Sequence, residues 1–465
     1  MAIRLMEPLD AVLMTAELLG NPMHVAALLV LTPPPGAKPS YVDRLYDDAV
    51  TSGVTVDPAL LRHPHRGLDT GGLWAWRDVE GLDLTRHVRR HTLETGSREE
   101  LYELIGRAHE TPLPRDRPLW EAILVDGLSD GRFAYYIKVH HAVMDGVSGL
   151  RMVEESMSTD PARRDLPPFF GFRPPGAEPT TPPGPWLPLR MIGGAVRTAS
   201  AAAALGRRIV EGQAGDIARG LTTGTSVLPF RAPRTRLNGP LTAVRTFTAG
   251  TWERERLRRV QEAAGGVTGN DVMTAMISGA LRAWFTDHDE LPDDSLVAIC
   301  PVSVRTTEGG HAGNAFGTAL CNLGTALEDP RERLELIHRS MAVAKERVLD
   351  LGPVPSLLVT APSILPTILL PMLPFDPRLR PGYNVPISNV PGPRQDVYWN
   401  GAHLDEMYPV SVVYDGMALN VTGCSYADRI CLGYVAGRDA VPDVGSLVPH
   451  TEEALVELET ALGVA

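Results

Sequence analysis

The feature that most constrains this chain is a break in composition. Pro167 to Pro188 is rich in proline and glycine, and on either side of it strand-like and helix-like segments alternate. Proline fixes its own φ and offers no backbone N–H, so such a stretch runs as an extended crossover rather than inside a sheet. At 465 residues the chain is also too long for one ordinary core. The break therefore predicts two domains, residues 1–160 and 241–465, joined by a linker with crossover helices over 161–240. Within that linker, the Ala/Gly/Arg-rich stretch Arg190 to Gly220 predicts one or two helices, and Thr222 to Pro240 a loop.

Periodicity fills in both halves. Met6 to Leu19 predicts a helix with Leu9, Val12, Leu13, Ala16 and Leu19 on its inner face. His24 to Leu31 reads as a buried strand stopped by Pro33-Pro34-Pro35. Glu99 to Glu110 predicts a helix packed through Leu101, Leu104, Ile105 and Ala108, and Trp120 to Val125 with Phe133 to His140 predict a hairpin. The second half predicts strands at Ala243 to Ala249, Leu296 to Val304, Val410 to Val413, Ala418 to Ser425 and Arg429 to Val435. Its helices are expected at Asp271 to Thr286, capped by Thr268 or Asn270, and at Asp329 to Leu351. The alternation gives an α/β (α+β) class with two layers of similar design and no internal repeat.

Composition then removes function classes. With 44% hydrophobic and 22% charged residues the chain reads as folded. Its net charge of −12 argues against non-specific nucleic-acid binding, and only Lys38, Lys138 and Lys345 are lysines. Cys300, Cys321, Cys424 and Cys431 form neither a metal-ligand spacing nor a compact disulfide framework, which fits a reducing cytoplasmic compartment. Met1 to Asp10 lacks the apolar run of a signal peptide. Pro355 to Pro374 is uncharged and long enough to span a bilayer, but its five prolines read as a buried broken helix or a lipid-facing wall.

Chemistry concentrates at His140-His141-Ala142-Val143-Met144-Asp145-Gly146, an HHxxxDG pattern. A histidine suits removal of a proton from an alcohol because its pKa lies near working pH. On a regular strand His141 continues the face of Phe133, Tyr135, Ile137 and Val139, while His140 shares the face of Tyr136 and Lys138. The two rings then point apart, and His141 is the better base in a dry site. Asp145-Gly146 reads as a turn before a helix over Val147 to Met157, with Asp145 holding a histidine or an arginine and Gly146 letting the turn close. The competing readings are two ordinary histidines at a strand end, or a metal site, for which no further ligand cluster is visible.

With these residues the chain resembles the bacterial wax ester synthase/diacylglycerol acyltransferase family. HHxxxDG by itself suggests only the wider superfamily of chloramphenicol acetyltransferase, plant BAHD transferases and condensation domains. Further blocks suggest the narrower family. They are Leu9-Asp10-Ala11, Asn21-Pro22-Met23-His24, Arg117-Pro118-Leu119-Trp120, Asn270-Asp271, Pro301 to Arg305, Gly313-Asn314 and Ser388 to Pro393. They span nearly the whole chain, and no DFGWG-like block of BAHD enzymes is present.

The resemblance implies two chloramphenicol-acetyltransferase-like domains, each a mixed sheet with helices, and an active site in a tunnel between them. It implies transfer of an acyl group from long-chain acyl-CoA, a co-substrate, to diacylglycerol or a fatty alcohol, with no cofactor. It makes His141 the general base, His140 a supporting residue and Asp145 structural, with Arg305 as a partner for Asp145. Asn270-Asp271 reads as a helix cap in preference to a substrate contact, Pro118-Leu119-Trp120 as packing, and Ser388 and Asn389 as residues lining the site. Wax ester synthesis, and a lipid-surface protein with little activity, remain alternatives. Contact with the inner membrane or with lipid droplets stays open, and acyl-chain length is not readable from sequence.

Overall fold

The computed structural model describes residues 3–18, 20–51, 53–171, 227, 230–306, 313–351 and 380–465. The Arg190 to Gly220 helices and the Pro355 to Pro374 segment lie outside the described residues.

The first half carries strands β1 (Ile3–Leu5), β2 (His24–Thr32), β3 (Arg62–His65), β4 (Ala75–Asp78), β5 (Val88–Thr92), β6 (Trp120–Asp126) and β7 (Phe133–His140). Its helices are α1 (Pro8–Leu18), α2 (Tyr41–Thr51), α3 (Arg98–Glu110) and α4 (Gly146–Glu155). The second half carries β8 (Arg245–Glu253), β9 (Val297–Thr306), β10 (Gly313–Asn322), β11 (Val385–Pro391), β12 (Tyr398–Trp399), β13 (Ala402–Val410), β14 (Leu419–Tyr426) and β15 (Arg429–Gly437). Its helices are α5 (Arg254–Ala264), α6 (Gly269–Asp287), α7 (Pro330–Leu351) and α8 (Leu447–Ala461).

Two six-stranded mixed sheets result. The second has the order β10-β9-β11-β14-β15-β8, with β11 parallel to both neighbours. The first has the order β12-β13-β2-β7-β6-β5, and β1-β4-β3 form a small separate sheet. The hairpin forms as its alternation predicts, β6 against antiparallel β7. However, two strands of the first sheet come from residues 398–410. The strand expected at Val410 to Val413 therefore ends at Val410, because β13 runs antiparallel to β2, pairing Val410 with Ala26. Short-range periodicity could not show that lending of strands, since the partner lies some 380 residues away in sequence.

The inner face of α1 differs in part from expectation. Ala16 is buried and Leu13 packs on the core as expected, but Val12 is 61% exposed, whereas Met14 and Glu17 are buried. Asp10, Met14 and Glu17 share one stripe at i, i+4 and i+7, so the inward face carries two acids and its pattern is hidden from a hydrophobicity reading. By contrast α3 buries Leu101, Ile105 and Ala108 as expected.

Four apolar clusters are buried among the described residues, the smallest around Val297, Leu320 and Tyr383. Of the other three, one lies under α6, α7 and α8 on the second sheet, and one between the first sheet, α2 and α4. The third joins the halves: Leu28, Ile105 and Tyr136 meet Phe247, Cys431 and Val435. Two glycines permit that approach. A Cβ on Gly106 would lie 2.9 Å from the Arg245 carbonyl, and one on Gly433 would lie 2.1 Å from the Pro409 carbonyl. All four cysteines are buried free thiols.

Candidate active site

The HHxxxDG motif sits where β7 ends. The strand stops at His140, and the His141 N–H donates to the Met23 carbonyl at 2.8 Å, so the neighbouring β2 pins the exit. The His140 N–H donates to the Leu119 carbonyl at 3.0 Å, which gives the Pro118-Leu119-Trp120 block its use. Trp120 is buried, stacks on His87 and donates from Nε1 to the Leu60 carbonyl, so it packs, as its block predicts.

The two histidines occupy different environments. His140 is sealed, 0% exposed, and the Ala142 N–H donates to its Nδ1 at 3.0 Å. Burial, with nearby His141 and Arg115, pushes its pKa down to about 3. His141 is partly exposed. Burial lowers its pKa, opposed by a hydrogen bond to its own carbonyl and by the Asp145 charge. A neutral imidazole whose donor nitrogen is occupied presents its other nitrogen as an acceptor, the state a general base needs.

Asp145 is the N-cap of α4: the Ser148 N–H donates to its Oδ1 at 2.7 Å. The side chain of its expected partner Arg305 lies outside the described residues; the Arg305 backbone pairs with Asn314 across β9 and β10. Gly146 differs from expectation. It is the first residue of α4, with no left-handed φ, and a Cβ there would meet nothing within 4 Å. Its missing side chain leaves space rather than closing a turn.

That space belongs to an apolar slot of about 70 Å³ beside the motif. Val25, Ala27, Ile137 and Val139 of the first sheet wall one side. Met144, Gly146, Gly149 and Leu150 line the motif side, and Val390 and Thr422 of the second sheet close it. The slot thus lies where the two sheets meet, lined by Val139 and by Met144 to Gly146 on either side of His141, although His141 itself does not line it. A second, larger cleft of about 830 Å³, lined by Lys38, Arg44 and Arg164, lies beyond the opposite end of β2.

The opposite face of β7 holds what sequence reasoning missed. Lys138 is fully buried, donating to the Ala108 carbonyl at 2.6 Å and pairing with Glu121 at 2.7 Å. His24 donates to the His109 carbonyl, and His109 Nε2 donates to the Ser411 carbonyl at 3.0 Å. Arg115 pairs with Glu17 at 3.0 Å. Arg62, whose charge faces Asp10, donates to the Val143 carbonyl inside the motif at 3.3 Å. The usable signal was the acidic stripe of α1.

The second sheet gathers another group. Thr268 caps α6 in a capping box with Asp271, as the cap reading of that pair predicts; Asn270 is not the cap. Buried Asp271 also accepts from His338 Nδ1 at 2.9 Å. Asn270 Oδ1 accepts from Asn389 at 2.7 Å, joining two blocks 119 residues apart. Ser388 and Asn389 lie on β11 opposite Thr422 and Gly423.

The family model of the wax ester synthase/diacylglycerol acyltransferase catalytic domain matches residues 6–273, and that of the WS/DGAT C-terminal domain matches residues 312–459. The chain belongs to the wax ester synthase/diacylglycerol acyltransferase family. A Mycobacterium tuberculosis H37Rv protein named as a diacylglycerol O-acyltransferase is 39% identical over 462 residues, covering 98% of this chain and 100% of the relative. The tgs2 protein of the same strain, named for the same activity, is 36% identical over 99% of this chain and 100% of its own length. The solved wax ester synthase/diacylglycerol acyltransferase of Marinobacter aquaeolei VT8 aligns with a TM-score of 0.79 at 33% identity, covering 99% of this chain and 100% of that one. The first condensation domain of the CDA synthetase, at 18% identity, TM-score 0.58 and coverage of 100% and 97%, shares the fold. This WS/DGAT chain is therefore an acyltransferase with the two-domain, chloramphenicol-acetyltransferase-like architecture. Members of this family type join acyl-CoA to diacylglycerol or alcohol acceptors. Among the described residues of the enzyme, no helix is long and apolar enough to cross a membrane.

Proposed function

We propose that the enzyme acylates the free hydroxyl of diacylglycerol from long-chain acyl-CoA, with His141 as general base and no cofactor. The observation that carries this reading is the contrast at the motif: His141 is partly exposed at the strand end near an apolar slot, while His140 is sealed. The neutral imidazole of His141 takes the hydroxyl proton as the acceptor oxygen bonds to the thioester carbonyl carbon. The C–S bond then breaks, and His141 returns the proton to the departing thiolate. The apolar slot suits an acyl chain, whose binding grows with each buried methylene. Asp145 holds the motif by capping α4, and His140 supports the turn through Ala142. On the second sheet Ser388 and Asn389 adjoin Val390, which lines the slot; Asn270 of α6 is joined to Asn389, and Asp271 anchors the start of α6.

Two relatives are named as diacylglycerol O-acyltransferases, which favours that acceptor. The Marinobacter structure, named for both activities, keeps a fatty alcohol as the second reading. Both acceptors are lipids, so the enzyme works at the cytoplasmic side of the inner membrane or at lipid droplets. The test is thiol release from palmitoyl-CoA with diolein and hexadecanol offered separately, and chromatography of the products. Triacylglycerol that disappears in His141→Ala supports the reading. Wax ester alone would move the acceptor to fatty alcohol, and ester formation undiminished in folded His141→Ala would remove the base assignment.

A further inference from the structure

The strongest unassigned feature is a pair of polar atoms behind the motif. Glu17 Oε1 and His140 Nε2 lie 3.8 Å apart, both shielded from solvent and neither with a hydrogen-bond partner among the described residues. Buried polar atoms are rarely left this way, so the pair calls for a reason. Arg115 does not supply it. Its Nε and Nη2 both donate to Glu17 Oε2, at 3.1 and 3.0 Å, leaving Oε1 turned toward the histidine.

The protonation of His140 follows from its other nitrogen. The Ala142 N–H donates to Nδ1, so Nδ1 carries no proton. In the neutral ring the proton is then on Nε2, the atom 3.8 Å from Glu17 Oε1. We infer that Glu17 is a positioning residue: its carboxylate holds the Nε2–H of His140, and so fixes the Ala142 turn that presents His141. The separation exceeds an ordinary N–H···O bond by less than about 1 Å, a gap that a small ring rotation closes. The chain runs from Arg115 through Glu17 and His140 to the Ala142 amide. Glu17 also faces the backbone N–H of Met23, whose carbonyl accepts the His141 N–H. One carboxylate thereby reaches both backbone segments that fix the base. Carboxylates behind metal-ligating histidines cost about 10–100-fold when removed, and we expect the lower end of that range for a histidine without a metal.

This inference rests on the acyltransfer reading with His141 as base, and the tests separate the two. The first needs no activity. Histidine labelled with ¹⁵N, with the His140 signals assigned by their loss in His140→Ala, reports which ring nitrogen carries the proton. A proton on Nε2 is expected; a proton on Nδ1 overturns the inference whatever the enzyme acylates. The second is a double-mutant cycle on the full chain, with Glu17→Leu and His140→Ala, reading kcat and KM for palmitoyl-CoA. We expect kcat of Glu17→Leu to fall about tenfold with KM within about twofold, and Glu17→Leu to add less than about twofold in the His140→Ala background. Equal losses in both backgrounds, or no loss in the folded single variant, would overturn it. Glu17→Gln, which keeps the shape around Arg115, carries the same cycle if the leucine variant unfolds. Wild type without acyltransfer would instead defeat the functional reading and leave the tautomer result standing.

Discussion

The two six-stranded sheets are alike in size and mixed character, yet they bury their polar groups differently. Behind the second sheet, α6 buries a nearly continuous apolar surface, from Val272 and Met276 to Leu281 and Phe285. Behind β7 of the first sheet lie Lys138, Glu121, Glu17, His24, His109 and His140, all buried. Ions and imidazoles out of water cost several kcal/mol each unless they are paired, so such a cluster is an expensive way to fill a core. The second sheet buries charge as well, at Asp271, Arg333 and Glu459, paired with His338, Glu457 and Arg256 in turn. The comparison teaches that buried imidazoles mark the sheet whose end holds the base: His24, His109 and His140 lie behind it, and among the described residues of the second half no histidine is buried.

The sharpest way to break this contrast is to remove one histidine from the motif and one acid from the second sheet. His141→Ala should lose about 10²–10⁴-fold in kcat/KM for palmitoyl-CoA. Asp271→Ala should lose only stability, with turnover per folded molecule within about twofold, because it removes the carboxylate that accepts from the His338 ring and the Thr268 N–H. Thiol release normalised to folded protein checks both; a comparable catalytic loss in Asp271→Ala would put chemistry on both sheets.

The shared slot is tested next. A Cβ on Gly149 would meet only Met144 Sδ, at 3.8 Å, so the backbone tolerates a side chain that then enters the slot. Gly149→Phe should lower kcat/KM for palmitoyl-CoA about 10–100-fold while sparing a four-carbon acyl-CoA. An equal loss at every chain length would mean that the slot does not hold the acyl chain.

The buried imidazoles predict a third effect. Burial holds both His140 and His109 down to about 3, below the usual value of 6.5. A depressed histidine pKa contributes stability above pH 6.5 and loses it as pH falls toward the folded value. Each should then cost roughly 2 kcal/mol at pH 5 relative to pH 7. Urea unfolding at the two pH values, with His109→Gln as a flatter control, measures it. The same sign applies to His141: the acid limb of kcat/KM should lie below 6.5, and a limb above that value would sink the assignment.

The smallest effect concerns the cap. Asp145→Ala should cost about 1 kcal/mol of stability, and Asp145→Asn, which still accepts from Ser148, much less. If both lose activity equally while both stay folded, the Asp145 charge beside His141 matters more than the cap.

Much of this was open to a reader of the chain. Strand alternation placed β6 and β7, because side-chain parity is a local property. Local rules offered Thr268 as one of two caps for α6, and the packing role of Pro118-Leu119-Trp120 came with the family resemblance. What could not be read was anything joining distant residues. Asn270 meets Asn389, β13 crosses to pair with β2, and α1 turns its acids inward. A carboxylate on a helix looks like solvent-facing charge until tertiary packing sets Arg115 and His140 against it. Sequence alone determined which residues can do chemistry and which faces their strands present, since periodicity and residue type are carried within a few positions. The tertiary structure decided which of them meet and which are dry, because burial and pairing depend on partners brought from hundreds of residues away.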